Sequence, residues 1–362
     1  MNLASCLKRI GKRFPRSTYP FLKAFWHGWN ETINTLRNMR LPVRATRVEF
    51  TALEIAELRR HFQRGPSKGE VAVESLFTAV SPGTEGAVFK SLPNAVRAFP
   101  YPPGYSGVGV VKKSGRGTSI KPGELVAGQL GHSSLTNVPE AELIRYEQSA
   151  DHVYMSFVEL GCIVQQGIRK AHVRLGDHVA ILGTGLLGQL SVSYAHLLGA
   201  GKITLVGRST RRKVSSSEHL PEHDYLVVGE DGTVETKADL VIECVGTPEA
   251  VIQAIGLSRD GGTVINLGSP RNSISLLAIT NLIASKSVKL KGAHISTLPK
   301  STVNFDDLSK IDERKVFRHL ISDGLLSMPE IETVPTNANV NVNMAYERLN
   351  RGTIPTTVVF EW

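Results

Sequence analysis

Six consecutive residues, Gly183-Thr184-Gly185-Leu186-Leu187-Gly188, carry the most specific chemistry in the chain. They follow the apolar run His178 to Leu182 and open a stretch with helical spacing, Gly185 to Leu198, so the glycines fall at a strand-to-helix turn. In that setting Gly183 permits the tight turn, Gly185 lets the backbone come up against a pyrophosphate, and Gly188 lets the helix pack close to the strand. Leu186 and Leu187 then begin the helix, whose free amides and positive end suit phosphate oxygens. The arrangement is a cradle for a dinucleotide.

The next apolar run, Lys202 to Val206, ends about twenty residues further on, where an acid would bind a ribose 2′-hydroxyl. The chain has Gly207-Arg208-Ser209-Thr210-Arg211-Arg212 instead. Nothing there repels a 2′-phosphate. Arg208 and Arg212, with Gly207 and Ser209 in the same turn, can bind one through forked hydrogen bonds worth roughly 1.5 to 3 kcal/mol each. That is about a tenfold to hundredfold preference per contact. NADPH/NADP+ is therefore the expected cofactor.

The elements around the cradle alternate strand and helix, the pattern of a parallel sheet in an α/β fold. Strands are expected at His178–Leu182, Lys202–Val206, Leu240–Cys244, Thr263–Leu267 and Lys289–Gly292, with helices at Gly185–Leu198 and Pro248–Leu257. A helical stretch, Asp151 to Arg174, precedes them. From Val43 the texture is different: short β-rich runs (Ala45–Phe50, Glu70–Thr78, Ser106–Lys112, Glu124–Ala127) are separated by turns such as Ser81-Pro82-Gly83 and Lys121-Pro122-Gly123, as in a small β domain. After Ser296 the mixed texture returns, with a helix near Asn343–Leu349 and a strand at Thr356–Phe360. The organisation expected is a basic extension (1–42), a β domain (43–150), a dinucleotide-binding domain (151–295) and a return to the β domain (296–362).

The whole chain of 362 residues, 41% hydrophobic, is long enough to bury two cores. No run approaches the roughly eighteen apolar residues of a membrane-spanning helix. Three cysteines, Cys6, Cys162 and Cys244, are too few for a disulfide framework, so a cytoplasmic setting is expected. The net charge of +9 suits a polyphosphate cofactor and does not require nucleic acid. Much of the excess lies in the extension, where Phe21, Leu22, Phe25, Trp26 and Trp29 form an apolar stripe at helical spacing. Two readings stay open for residues 1–40: a helix docked on the body, or an arm that contacts a membrane surface or partner.

The order β domain, α/β domain, β return, together with Pro103-Gly104-Tyr105-Ser106-Gly107-Val108-Gly109, Lys121-Pro122-Gly123-Glu124-Leu125-Val126-Ala127 and Leu240-Val241-Ile242-Glu243-Cys244-Val245-Gly246, resembles the medium-chain dehydrogenase/reductase superfamily. The resemblance runs from Val43 to the C-terminus. It implies a GroES-like β domain plus a Rossmann domain with a doubly wound parallel sheet, an oxidoreductase acting on a small-molecule substrate, and a homodimer. In zinc-dependent members the metal ligands fall at positions held here by Ser81, Tyr105 and Cys162. Only the last can bind zinc, and such sites need three or four protein ligands, so no metal is expected. The loop Ser81-Pro82-Gly83-Thr84-Glu85 is similar to that of zinc-lacking members of the bacteriochlorophyllide dehydrogenase and quinone oxidoreductase types. The same mapping puts Gln166 beside the nicotinamide, and Val245, Gly246, Gly268 and Ser269 beside the cofactor's ribose and ring.

With no Lewis acid, developing negative charge must meet a hydrogen-bond donor. Tyr105, at the vacated ligand position, is the first catalytic candidate, and Ser81, Thr84, Cys162 and His132 are the others. Reduction of a conjugated carbon–carbon double bond, or of a ketone with its reverse alcohol oxidation, both fit. A dinucleotide-binding protein without catalysis, and a membrane-surface reductase of a lipophilic substrate, are the alternatives.

Overall fold

Turns rich in Gly and Pro cut the first part of the chain into short strands. A computed structural model describes residues 42–208, 218–228, 234, 236–273, 276–304, 306–354 and 356–362. The basic extension therefore lies outside the described residues, as do Ser209 and Arg212. Strands β1 (Val43–Ala52) and β2 (Ile55–Gln63) form a two-stranded ribbon. Strand β3 (Glu70–Ala79) leads into helix α1 (Pro82–Phe89), and β4 (Gly107–Ser114), β5 (Leu125–Gly128), β6 (Leu135–Pro139) and β7 (Leu143–Arg145) follow.

Helices α2 (His152–Met155) and α3 (Val158–Ala171) occupy the stretch expected to be helical. The Asp151 side chain caps α2 by accepting from Tyr154 N–H at 2.9 Å, and α3 ends where His172 turns left-handed at φ 54°. Next come β8 (His178–Leu182), α4 (Leu186–Leu197), β9 (Lys202–Gly207), β10 (Asp224–Val227), β11 (Ala238–Glu243), α5 (Pro248–Leu257), β12 (Ser258–Asn266), α6 (Leu276–Lys286) and β13 (Lys289–Gly292). The chain finishes through α7 (Lys310–Ser322), β14 (Ile331–Pro335), α8 (Asn339–Asn350) and β15 (Thr357–Glu361).

Two larger sheets result. In the first the order is β14-β15-β3-β4-β5-β7, with β6 also on β3, so the two last strands complete a sheet begun before residue 80. The second has the order β10-β9-β8-β11-β12-β13, and all its pairings are parallel. Counted along the chain this is strand order 3-2-1-4-5-6, the doubly wound arrangement, whose direction reverses between β8 and β11. Buried on both faces, β8, β9 and β11 read as nearly continuous apolar runs. The two sheets share one core: Val108 and Ala127 pack through Leu160, Val164 and Ile168 of α3 to Val179, Ile181 and Ile242 of the parallel sheet.

Candidate active site

Open α/β sheets bind ligands at the carboxyl ends of the strands where the strand order reverses. There the structure has a cleft of about 710 Å³. One wall is the cradle. Gly183 adopts φ +113°, a backbone state open chiefly to glycine. A Cβ added to Gly188 would lie 1.8 Å from the Gly183 carbonyl oxygen, so only glycine lets α4 sit this close to β8. The N-cap of α4 is Gly185, which has no side chain to occupy the first-turn amides and leaves them for an anion. Gly183, Thr184, Gly185, Leu186, Leu187, Gly207 and Arg208 all line the cleft, and the Gln189 amide braces the turn by donating to the Thr184 carbonyl at 3.0 Å.

The second wall comes from the ends of β11 and β12. Val245, Gly268 and Ser269 line it. Glu243, fully buried, shapes it from beneath: its Oε1 accepts from Val245 N–H at 2.6 Å and from Gly246 N–H at 2.7 Å. The orientation of the Asn266 amide that satisfies both of its polar atoms puts its nitrogen 2.8 Å from Glu243 Oε2. Burial pushes the Glu243 carboxyl above its ordinary value, against the pull of these amides.

The third wall belongs to the β domain and holds Ser81, Pro82, Gly83, Thr84 and Tyr105. Ser81-Pro82-Gly83 is the start of α1 rather than a plain turn, with Ser81 as N-cap and proline in the first helical turn, where its missing N–H is no loss. Glu85 reaches back to accept from Ser81 N–H at 2.8 Å. The Ser81 hydroxyl makes no capping bond and, with that of Thr84, lines the same cleft as the Tyr105 phenol. Desolvation is the main cause that pushes Tyr105 up to about 12, outweighing those two hydroxyls.

Beneath this wall lies a buried polar network that the sequence did not reveal. His132 Nε2 is 2.9 Å from Glu85 Oε2, and its Nδ1 is 2.8 Å from Thr78 Oγ1. Tyr346 donates to Glu85 Oε2 at 2.6 Å, and Trp362 Nε1–H donates to Thr78 Oγ1 at 2.8 Å. A carboxylate cannot donate, so His132 carries its proton on Nε2; Thr78, already accepting from Trp362, can then donate to Nδ1. His132 and Tyr346 thereby hold Glu85, and Glu85 holds the start of α1.

Of the expected site residues, Cys162, Gln166, Gly188, Gly246 and His132 stand apart from the cleft lining. Cys162 is fully buried in α3, and burial raises its thiol well above the ordinary value. Gln166 is buried as well; its amide nitrogen donates to the His294 carbonyl at 2.9 Å and to Thr297 Oγ1 at 2.8 Å. It holds the segment whose Ala293, His294 and Ile295 do line the cleft. Lining residues that sequence reasoning passed over are Cys244, Glu249, Arg271 and His294. Arg271 lies three residues beyond Gly268 in a loop already marked as cofactor-facing, which is the signal that could have found it.

A family model described as zinc-binding dehydrogenase matches residues 187–310. Vomilenine reductase of Rauvolfia serpentina is 28% identical over 177 residues, 48% of this chain and 44% of that protein. The chain thus spans about half the length of the curated relatives it matches. Among solved structures, CAD from Helicobacter pylori complexed with NADP(H) has a TM-score of 0.72 at 15% identity, over 88% of this chain and 98% of that one. A thermostable alcohol dehydrogenase from Pyrobaculum aerophilum has a TM-score of 0.71 at 18% identity, over 88% and 100%. Among the described residues no three His, Cys, Asp or Glu side chains come together to hold a metal. Glycine cradle, strand order, partial family match and shared fold agree with the resemblance to the medium-chain dehydrogenase/reductase superfamily.

Proposed function

We propose that the protein is an NADP(H)-dependent oxidoreductase that moves a hydride to or from a small organic substrate, a ketone/alcohol pair or a conjugated enone, without catalytic zinc. The observation that carries this reading is that the glycine cradle and the Tyr105–Ser81–Thr84 hydroxyl cluster open into one cleft. The groups present fit a dinucleotide, because a Cβ would close the approach at Gly188 and the first-turn amides of α4 are uncapped by a side chain.

When bound, the nicotinamide supplies or accepts the hydride. The chain's own residues do the rest. The α4 amides and Arg208 hold phosphate oxygens. Glu243 keeps the Val245–Gly246 turn in shape against the cofactor. Tyr105 keeps its proton at neutral pH and so acts as donor to the substrate oxygen, on which charge develops in either reaction. Ser81 and Thr84 line the cleft with Tyr105 and offer hydroxyls to the same substrate. The expectations for Ser209, Arg212 and membrane contact through residues 1–40 fall outside the described residues. Among the described residues no helix is long and apolar enough to cross a membrane.

Incubation of the protein and NADPH with panels of enones and ketones tests the proposal, with NADPH oxidation and product identity as readouts. Reduction of members of either panel supports it. Tight NADPH binding with no oxidation by any member favours a dinucleotide-binding protein without catalysis.

A further inference from the structure

Arg271 brings to the cleft lining a charge that the described part of the protein leaves without an ion-pair partner. It belongs to the dinucleotide-binding half, just after Gly268-Ser269, yet its Nη2 donates to the carbonyl of Gly83 in α1 at 3.3 Å. The loop that carries it is also held at the preceding residue, where the Asn94 amide donates to the Pro270 carbonyl at 3.2 Å. Arg271 is half-buried and lines the same cleft as Tyr105, Ser81 and Thr84.

A guanidinium offers five N–H donors in a planar fork suited to carboxylate or phosphate. Other shielded arginines of this chain use theirs on glutamates: Arg314 on Glu159 at 2.6 Å and Glu142 at 2.5 Å, Arg169 on Glu313 at 2.7 Å, Arg348 on Glu332 at 2.6 Å. Among the described residues no carboxylate lies within ion-pair distance of Arg271, and its one hydrogen bond is a long one to a neutral carbonyl. Desolvation weakens its hold on the proton, the expected result when a charge is shielded and unpaired.

We propose that Arg271 is the anion-recognition residue at the substrate end of the cleft, so that the substrate bears a carboxylate or phosphate. The proposal rests on the oxidoreductase reading and names its substrate class. Anionic oxygens could come from the substrate or from the dinucleotide's pyrophosphate, and these sources are separable. In calorimetric titrations, 4-carboxybenzaldehyde and its neutral isostere 4-carbamoylbenzaldehyde are added to the full chain, with and without NADPH, in the native protein, Arg271→Gln and Arg271→Lys. The acid is expected to bind at least about tenfold more tightly than the amide. The preference disappears in Arg271→Gln, persists in part in Arg271→Lys, and the NADPH Kd is the same in all three proteins.

Equal affinity for acid and amide in the native protein would overturn the proposal, as would a preference that survives Arg271→Gln. A loss of NADPH affinity in Arg271→Gln, with the preference unchanged, assigns the residue to the pyrophosphate. Absence of NADPH binding in the native chain is seen in its own titration and counts against the oxidoreductase reading. The titrations without NADPH still decide the role of Arg271.

Discussion

At the scale of single residues, the role proposed for Tyr105 is that of an acid. Its phenol is pushed up to about 12, so it remains protonated through the physiological range and loses its proton only as pH rises towards that value. The proton-donor step should therefore be independent of pH between about 6 and 10, and a kcat profile that falls near neutrality would show that another group gives the proton. Tyr105→Phe should lower kcat by about a hundredfold, within the usual span of general acid–base catalysis, while the NADPH Kd, measured by fluorescence titration, stays as it was. Arg208 makes a different prediction. Arg208→Ala should reduce kcat/KM for NADPH by about tenfold or more and leave NADH use nearly unchanged.

At the scale of elements, contact between α4 and β8 depends on one missing methyl group. Gly188→Ala sets a Cβ 1.8 Å from the Gly183 oxygen, which must move α4 or the turn, so dinucleotide binding and melting temperature should fall together. Gly256 on α5 is a contrast, with nothing within 4 Å of its would-be Cβ. Gly256→Ala should raise stability by up to about 1 kcal/mol through helix propensity alone, as read by urea denaturation. The elements most legible in the sequence were those under the strongest constraint. β8 is bounded by its apolar run, and the cradle could be read because strand, glycines and helix start are contiguous. β10 was not legible, because Asp224–Val227 is short and its residues are half-buried or exposed at a sheet edge. Exposed Leu276 and Leu277 blur the periodicity of α6. α1 was hidden because Ser-Pro-Gly serves a turn and a helix start equally well, and only the reach of Glu85 to Ser81 N–H decides between them. The His132–Glu85–Tyr346 network joins residues more than 200 positions apart, a juxtaposition that no local pattern encodes.

At the scale of the whole molecule, the two sheets hold one another through α3 and α7. Arg314 of α7, almost wholly buried, binds Glu159 at the start of α3 and Glu142 just before β7. Removing one partner strands a buried charge, so Arg314→Met should destabilise the protein by about 3 to 5 kcal/mol, seen as a lower urea midpoint. The cradle helix is also tied to the chain's return: Gln189 donates to Thr356 Oγ1 at 3.0 Å, and Ser193 to the Ser327 carbonyl at 2.7 Å. The chain's return thus helps to position the wall that carries the cradle. The most direct test of the account is calorimetric titration of the full chain with NADPH and with NADH. One NADPH per chain, bound at least about tenfold more tightly than NADH, is the result the cradle and Arg208 require. No measurable affinity for either dinucleotide would contradict the account.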